Sequence, residues 1–262
     1  MSTLTRASGL GLGLAMTWFS LLVLIPLSAV VFTAAGGGWD LFWRTVTSEQ
    51  TAAAIRLTVG QAALVTVVNV VMGTLIAWVL VRDHFRGKAL LEVLIDIPFA
   101  LPTIVAGLVL LALYGKDSPL GIDVANQRSA VFLAFLFVTL PFVVRMVQPT
   151  LAELDKEVEE AAASLGAGKV TTFRRVILPR IVPAIAAGAA LSFARGVSEY
   201  GSLVLLSGNL PFKTEVTSVR ILSNIENNNL AGAAATATVL LAISLAVIVL
   251  LDVIQRRVSG GV

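Results

Sequence analysis

The feature that most limits this chain is a set of six long stretches nearly free of ionisable side chains. They run roughly over residues 10–32, 57–81, 89–114, 130–148, 181–206 and 233–253. A helix rises about 1.5 Å per residue, so about 20 apolar residues cross a hydrocarbon layer about 30 Å thick. Lipid offers no partner to backbone N–H and C=O groups, which forces such segments to be helical. The sequence therefore predicts an all-α integral membrane protein, a single transmembrane domain over 1–262 with about six spans. Composition excludes the soluble alternative: 57% of the 262 residues are hydrophobic and 13% charged, where a soluble domain carries about a quarter charged residues.

A cleaved leader is the other reading of the first stretch, with Thr33-Ala34-Ala35 as a small-residue exit. Its apolar run exceeds the roughly 7–15 residues of a signal core, and five further spans follow, so it is read as a retained helix.

Charge sets the expected orientation. One side gathers eleven basic residues: Arg6, Arg82, Arg86, Lys88, Lys156, Lys169, Arg174, Arg175, Arg180, Arg256 and Arg257. The other has six, namely Arg44, Arg56, Lys116, Arg128, Lys213 and Arg220, while Arg145 and Arg195 fall within spans. The positive-inside rule then puts both termini in the cytoplasm. It also accounts for the net charge of +3 without a nucleic-acid partner, since no basic stripe interleaved with aromatics occurs. Loops 33–56, 115–129 and 207–232 are expected outside, and 82–88 and 150–180 inside.

The chain has no cysteine, which removes disulfides, thiolate metal sites and cysteine catalysis. The single histidine, His84, stands in a basic turn with no second metal ligand nearby. No nucleophile–base arrangement or metal-ligand spacing appears, so no catalytic role, metal or cofactor is expected.

The connection 150–180 has a helical pattern of its own. In LAELDKEVEEAAASL, residues 151–165, Leu151, Leu154, Val158, Ala161, Ala162 and Leu165 recur at three- and four-residue steps and make one apolar stripe. Glu153, Asp155, Glu157 and Glu159 occupy mostly the other face. Gly166 suits a C-terminal turn, because it takes positive φ without steric penalty. A second short helix over about 169–177 is predicted to stop before Pro179, which cannot continue the hydrogen-bond ladder. By pattern alone this is equally a solvated connector packed on neighbouring spans.

Its wording decides between those readings. Glu160-Ala161-Ala162, three residues, Gly166, nine residues, then Val176-Ile177-Leu178-Pro179 resembles the EAA loop of ABC importer permeases. Val176 stands where that family often has Ile. The loop also lies where the family carries it, two spans before the C-terminus, and the similarity extends over nearly the whole chain. The resemblance implies the type I ABC importer permease fold, with cytoplasmic EAA helices that dock into a cleft on an ATP-hydrolysing subunit. Glu160, Ala161, Ala162 and Gly166 are the implied coupling residues. The chain does not bind ATP itself. Gly168-Lys169 would need Gly at 163 and Ser or Thr at 170 to form a phosphate-cradling loop, and those positions are Ala163 and Val170.

Ionisable residues within spans are costly and point to function. Asp96 lies in the third span near Pro98 and Pro102, two prolines expected to bend it; the structural alternative pairs Asp96 with a loop arginine near the interface. Arg195 and Glu199 are four residues apart and share a helix face, either as a structural pair or lining the translocation path. Arg145, near the end of its span, is expected to snorkel to the interface.

Two further stretches narrow the resemblance. Ser198-Glu199-Tyr200-Gly201-Ser202-Leu203-Val204-Leu205-Leu206-Ser207-Gly208-Asn209 is similar to the oxyanion branch of these permeases, which handles sulfate, thiosulfate and molybdate. Lys213-Thr214-Glu215-Val216 and Asp96-Ile97-Pro98-Phe99-Ala100-Leu101-Pro102-Thr103 look like its sulfate/thiosulfate members. Tyr200 replaces the family's usual Phe. The resemblance implies a bacterial inner-membrane complex of this chain, a second homologous permease, two ATP-binding subunits and an extracytoplasmic sulfate-binding protein. Molybdate or tungstate import is the alternative within the class. An ion-coupled secondary transporter is the alternative outside it, but that class usually shows repeat symmetry, for which no convincing internal repeat is found.

Overall fold

The computed structural model describes residues 6–259. The extreme termini, and with them the expected cytoplasmic placement of both chain ends, lie outside the described residues. Among the described residues every regular element is helical.

The chain opens with α1 (Arg6–Phe19), a π-helical turn (Ser20–Leu24) and α2 (Ile25–Gly36), which run on as one apolar rod over Ser8–Gly36. A short amphipathic helix, α3 (Trp39–Thr47), precedes α4 (Glu49–Arg82). Ser48 starts α4 by accepting the Thr51 N–H on its hydroxyl at 3.4 Å, which satisfies one of the N–H groups a helix start leaves free. With 34 residues, α4 is about 51 Å long and must tilt or project beyond the hydrocarbon.

The stretch 89–114 does not cross as one straight helix. It forms α5 (Lys88–Ala100) and α6 (Thr103–Tyr114), bent by 118° at their junction. Leu101 and Pro102 are both extended there, with ψ of 134° and 136°. A residue before proline is pushed out of the helical region, and this places the bend. Five helices are thus long and apolar enough to span, with the bent pair as the sixth candidate.

After α7 (Arg128–Ala152) the chain breaks at 153–155 and re-enters α8 (Lys156–Ser164), so the expected helix over 151–165 is two helices that divide the predicted stripe. Next come α9 (Lys169–Thr172), a second π-turn (Phe173–Ile177) and α10 (Leu178–Val197), continuous over Lys169–Val197. Here the structure corrects a sequence expectation, because the helix does not end before Pro179. The five-residue π-turn is followed by Leu178 and then Pro179, as Ser20–Leu24 is followed by Ile25 and Pro26. Proline lacks the N–H for the i−4 carbonyl and crowds it; a wider turn just before it accommodates both faults without ending the rod. The chain closes with α11 (Gly201–Leu206), α12 (Thr217–Glu226) and α13 (Leu230–Ser259).

Helices α4, α7 and α10 pack on one another as the centre. One apolar cluster, including Ala62, Val65, Ala134, Phe135 and Phe193, fills the half nearer α3; another, including Ala77, Leu80, Val143, Val147, Ile177 and Ile181, fills the half nearer α8. Small residues allow this closeness. A Cβ on Gly73 would meet Val143 Cβ at 2.8 Å, and one on Gly188 would meet Val143 Cα at 2.9 Å. Helices in lipid associate through such close backbone packing. In contrast α1, α2 and α13 leave most of their apolar surface open.

Candidate functional site

Within the central trio sits a polar tie that the sequence reading did not single out. Asn69 on α4 is fully buried and donates to Thr139 Oγ1 on α7 at 2.7 Å and to Ser192 Oγ on α10 at 3.2 Å. Its Oδ1 has no partner. One side chain thereby fixes the register of three helices, in a medium where losing the partners would strand polar groups. An Asn near the middle of an apolar span was the available signal.

Asp96 meets Arg145, not a loop arginine. Arg145 donates through Nε to Asp96 Oδ1 at 2.7 Å, through a terminal nitrogen to Asp96 Oδ2, and also to Gln148 Oε1 and the Glu92 carbonyl. A two-pronged guanidinium–carboxylate contact of this kind is strong and directional. Arg145 therefore ties α5 to α7 instead of snorkelling, just below the ring contact of Phe99 with Phe142.

Arg195 and Glu199 do pair, at 2.9 Å. Glu199 lies past the end of α10 and is 1% exposed. Its Oε1 accepts the Ser202 N–H at 2.9 Å and the Ser202 hydroxyl at 3.0 Å, so it caps α11. The Arg195 side chain is 32% exposed, leaving part of the guanidinium accessible. Beside this junction α6 and α11 touch almost backbone to backbone, since a Cβ on Gly107 would lie 2.6 Å from the Ser202 carbonyl oxygen.

Loop 207–217 is braced by the residues that narrowed the sequence resemblance. Thr214 donates to the Ser207 carbonyl at 2.6 Å and accepts the Leu210 N–H at 3.0 Å. Buried Glu215 accepts from Gln50 at 2.8 Å, and Thr217 bonds Thr58 through both its N–H and its hydroxyl. Lys213-Thr214-Glu215-Val216 thus pins this loop to the first turns of α4.

At the opposite end of the molecule α8 stands out from the bundle. Glu160 and Ala161 are exposed, Ala162 is half-buried and Gly166 takes φ +82°. Of the predicted stripe, Leu151 is buried and Leu154 and Val158 are half-buried, whereas Leu165 is 89% exposed. Nearby Val170 is 71% exposed. What holds α8 in place is Glu159, which pairs with Arg82 at the end of α4. The Arg82 guanidinium lies over the Trp78 ring, 5.6 Å from its centre, and Trp78 contacts Phe173 edge-on at 5.5 Å. The cluster joins α4, α8 and the start of the α9–α10 rod.

A bundle of this kind, with an exposed elbow at one end and a braced loop at the other, is the architecture of a transport permease. The family of binding-protein-dependent transport system inner membrane components matches residues 69–260, and the chain belongs to it. It is 41% identical to the sulfate transport system permease protein CysT of Salmonella typhimurium over 95% of this chain and 92% of that one. The protein of the same name from Synechococcus elongatus is 43% identical over 92% of this chain and 90% of its own length. Among solved structures, a chain of the bacterial ABC transporter that imports the acidic polysaccharide alginate has the same fold. It gives a TM-score of 0.77 at 17% identity, covering 93% of this chain and 92% of that one.

Proposed function

We propose that this protein is the transmembrane permease subunit of an ATP-driven importer for sulfate and thiosulfate. The observation that carries the substrate is the 41% identity to a sulfate permease over 95% of the chain. The working complex would contain this chain, a second homologous permease, two ATP-binding subunits and an extracytoplasmic sulfate-binding protein. A binding-protein partner is supported by a related fold, at a TM-score of 0.76, from the alginate transporter in complex with an alginate pentasaccharide-bound periplasmic protein. Both termini would face the cytoplasm.

In this reading α8 and the α9–α10 rod are the coupling elements. Glu160 and Ala161 face solvent, as a surface awaiting an ATPase cleft requires, and Leu165 and Val170 beside them are apolar groups that are largely exposed. Gly166 makes the turn between the two coupling helices. Glu159 on Arg82 passes a displacement of α8 to α4, while α10 moves with α9 as one rod. Arg195, held by Glu199, faces the translocation path, and Asp96 with Arg145 steadies the bent α5–α6 element. Nucleotide-driven approach of the ATPase pair would then switch access between two arrangements of the helices.

The test is uptake of radiolabelled sulfate in cells lacking this subunit, restored with the chain and its natural partners. Energy-dependent uptake blocked by thiosulfate but not by molybdate is expected. No sulfate uptake, with molybdate accumulation recovered, would move the substrate to molybdate or tungstate.

A further inference from the structure

The braced loop forms one wall of a cavity that the sequence reading did not anticipate. It is a half-open pocket of about 390 Å³ between the early turns of α4, the start of α7 and the tip of the loop. Arg56, Gln61 and Arg128 line it with Leu57, Gly60 and Phe212. Two guanidinium groups therefore border a single small space, and no carboxylate lines it. Among the described residues neither arginine has an acidic partner within ion-pair distance. Among the described residues the one hydrogen bond that engages either is from Arg128 Nε to the Lys213 carbonyl at 3.3 Å. Among the described residues Gln61 Oε1 is buried without a hydrogen-bond partner.

The wall opposite is held under strain. Phe212 has φ +62°, a conformation that is a genuine outlier for a bulky residue. The Thr214 brace and the Lys213 N–H bond to the Leu210 carbonyl, at 3.1 Å, hold the tip in place. Strained backbone that its surroundings over-determine clusters at ligand sites.

Arg56 and Arg128 are both solvent-exposed yet line one pocket, and guanidinium forks match the oxygen edges of a tetrahedral oxyanion. We propose that Arg56, Arg128 and Gln61 form a transient oxyanion site at the extracytoplasmic mouth of the permease, which takes sulfate-class dianions before they enter the path. This deepens the sulfate reading and rests on it.

The test uses the complete transporter with its binding protein in vesicles of phosphatidylcholine alone and in vesicles containing phosphatidylglycerol. Arg56→Gln and Arg128→Gln are compared with Arg56→Lys, Arg128→Lys and, as a control on the same face, Arg44→Gln. Each Gln variant should lower sulfate uptake about tenfold or more, the scale of a lost charge-assisted contact. The Lys variants should recover part of it, and stimulation of ATP hydrolysis by the binding protein should persist. Unchanged uptake overturns the site. Equal loss of uptake and of binding-protein stimulation overturns it in favour of a docking surface for protein carboxylates. An effect confined to phosphatidylglycerol vesicles overturns it in favour of a lipid headgroup. Should unmodified transporter move molybdate and not sulfate, the substrate reading fails alone, and the variants then test the site with molybdate uptake.

Discussion

The contact of Glu159 with Arg82 gives the sharpest prediction about coupling. Their side chains are 27% and 16% exposed, so the pair is largely withdrawn from water. Glu159→Gln would remove the charge and leave a guanidinium whose Nε is already buried without a partner. The remaining stabilisation is the Trp78 face, worth about 1–2 kcal/mol for a largely desolvated guanidinium. Stranding a mostly buried polar group costs about 1–3 kcal/mol; the partial exposure of Glu159 favours the lower part, about 1–2 kcal/mol. Since about 1.4 kcal/mol is tenfold in an equilibrium, the population with α8 undocked from α4 should rise about 5- to 30-fold. Hydrogen exchange of the α8 amides in the assembled, nucleotide-free transporter reads this population, because exchange follows local opening. Glu157→Gln, an exposed change on the same helix, should leave protection within about twofold. A double-mutant cycle with Arg82→Gln should give a coupling of at least about 0.5 kcal/mol, and sulfate moved per ATP should fall. Equal protection in the Glu157 and Glu159 variants, with an additive cycle, would refute the claim that this pair joins α8 to α4.

Gly166→Val places a branched side chain at φ +82°, where L residues pay roughly 1–2 kcal/mol. That variant and Glu160→Ala should impair uptake while leaving membrane insertion intact, and normal uptake would disprove the role of this turn in coupling. Asn69→Ala deletes two interhelical hydrogen bonds worth about 0.6 kcal/mol each in membrane proteins. A drop in Tm of a few degrees in detergent is expected, and an unchanged Tm would mean the tie contributes nothing. Because the chain has no cysteine, single replacements report orientation directly. Ser164→Cys should react with an impermeant thiol reagent only from the cytoplasmic side and Ser118→Cys only from outside; the reverse pattern would invert the topology.

Much of this protein was legible as sequence because lipid enforces a local rule. A segment of apolar side chains must satisfy its own backbone, so the spans follow from the runs themselves. The Arg195–Glu199 contact was readable for a similar reason, as residues four apart at a helix end stay close even though α10 stops at Val197. Pro98 and Pro102 foretold a bend, and the chain turns by 118° beside Pro102.

Other features depended on partners distant along the chain. Asp96 and Arg145 are 49 residues apart, and nothing local says that α5 and α7 bring them together. Arg56 and Arg128 line one pocket only because the fold brings the early turns of α4, the start of α7 and Phe212 of loop 207–217 together. Pro179 shows the same division within one helix. The local rule ends the helix before it, but the run through the π-turn into the buried Ile181 packs α10 against α7, and this tertiary contact outweighs the local cost. The sequence by itself determined the class of protein and its spans, because each rests on local periodicity and wording. The tertiary structure decided which charges pair and which arginines line a common pocket, because those depend on distances that sequence separation does not encode.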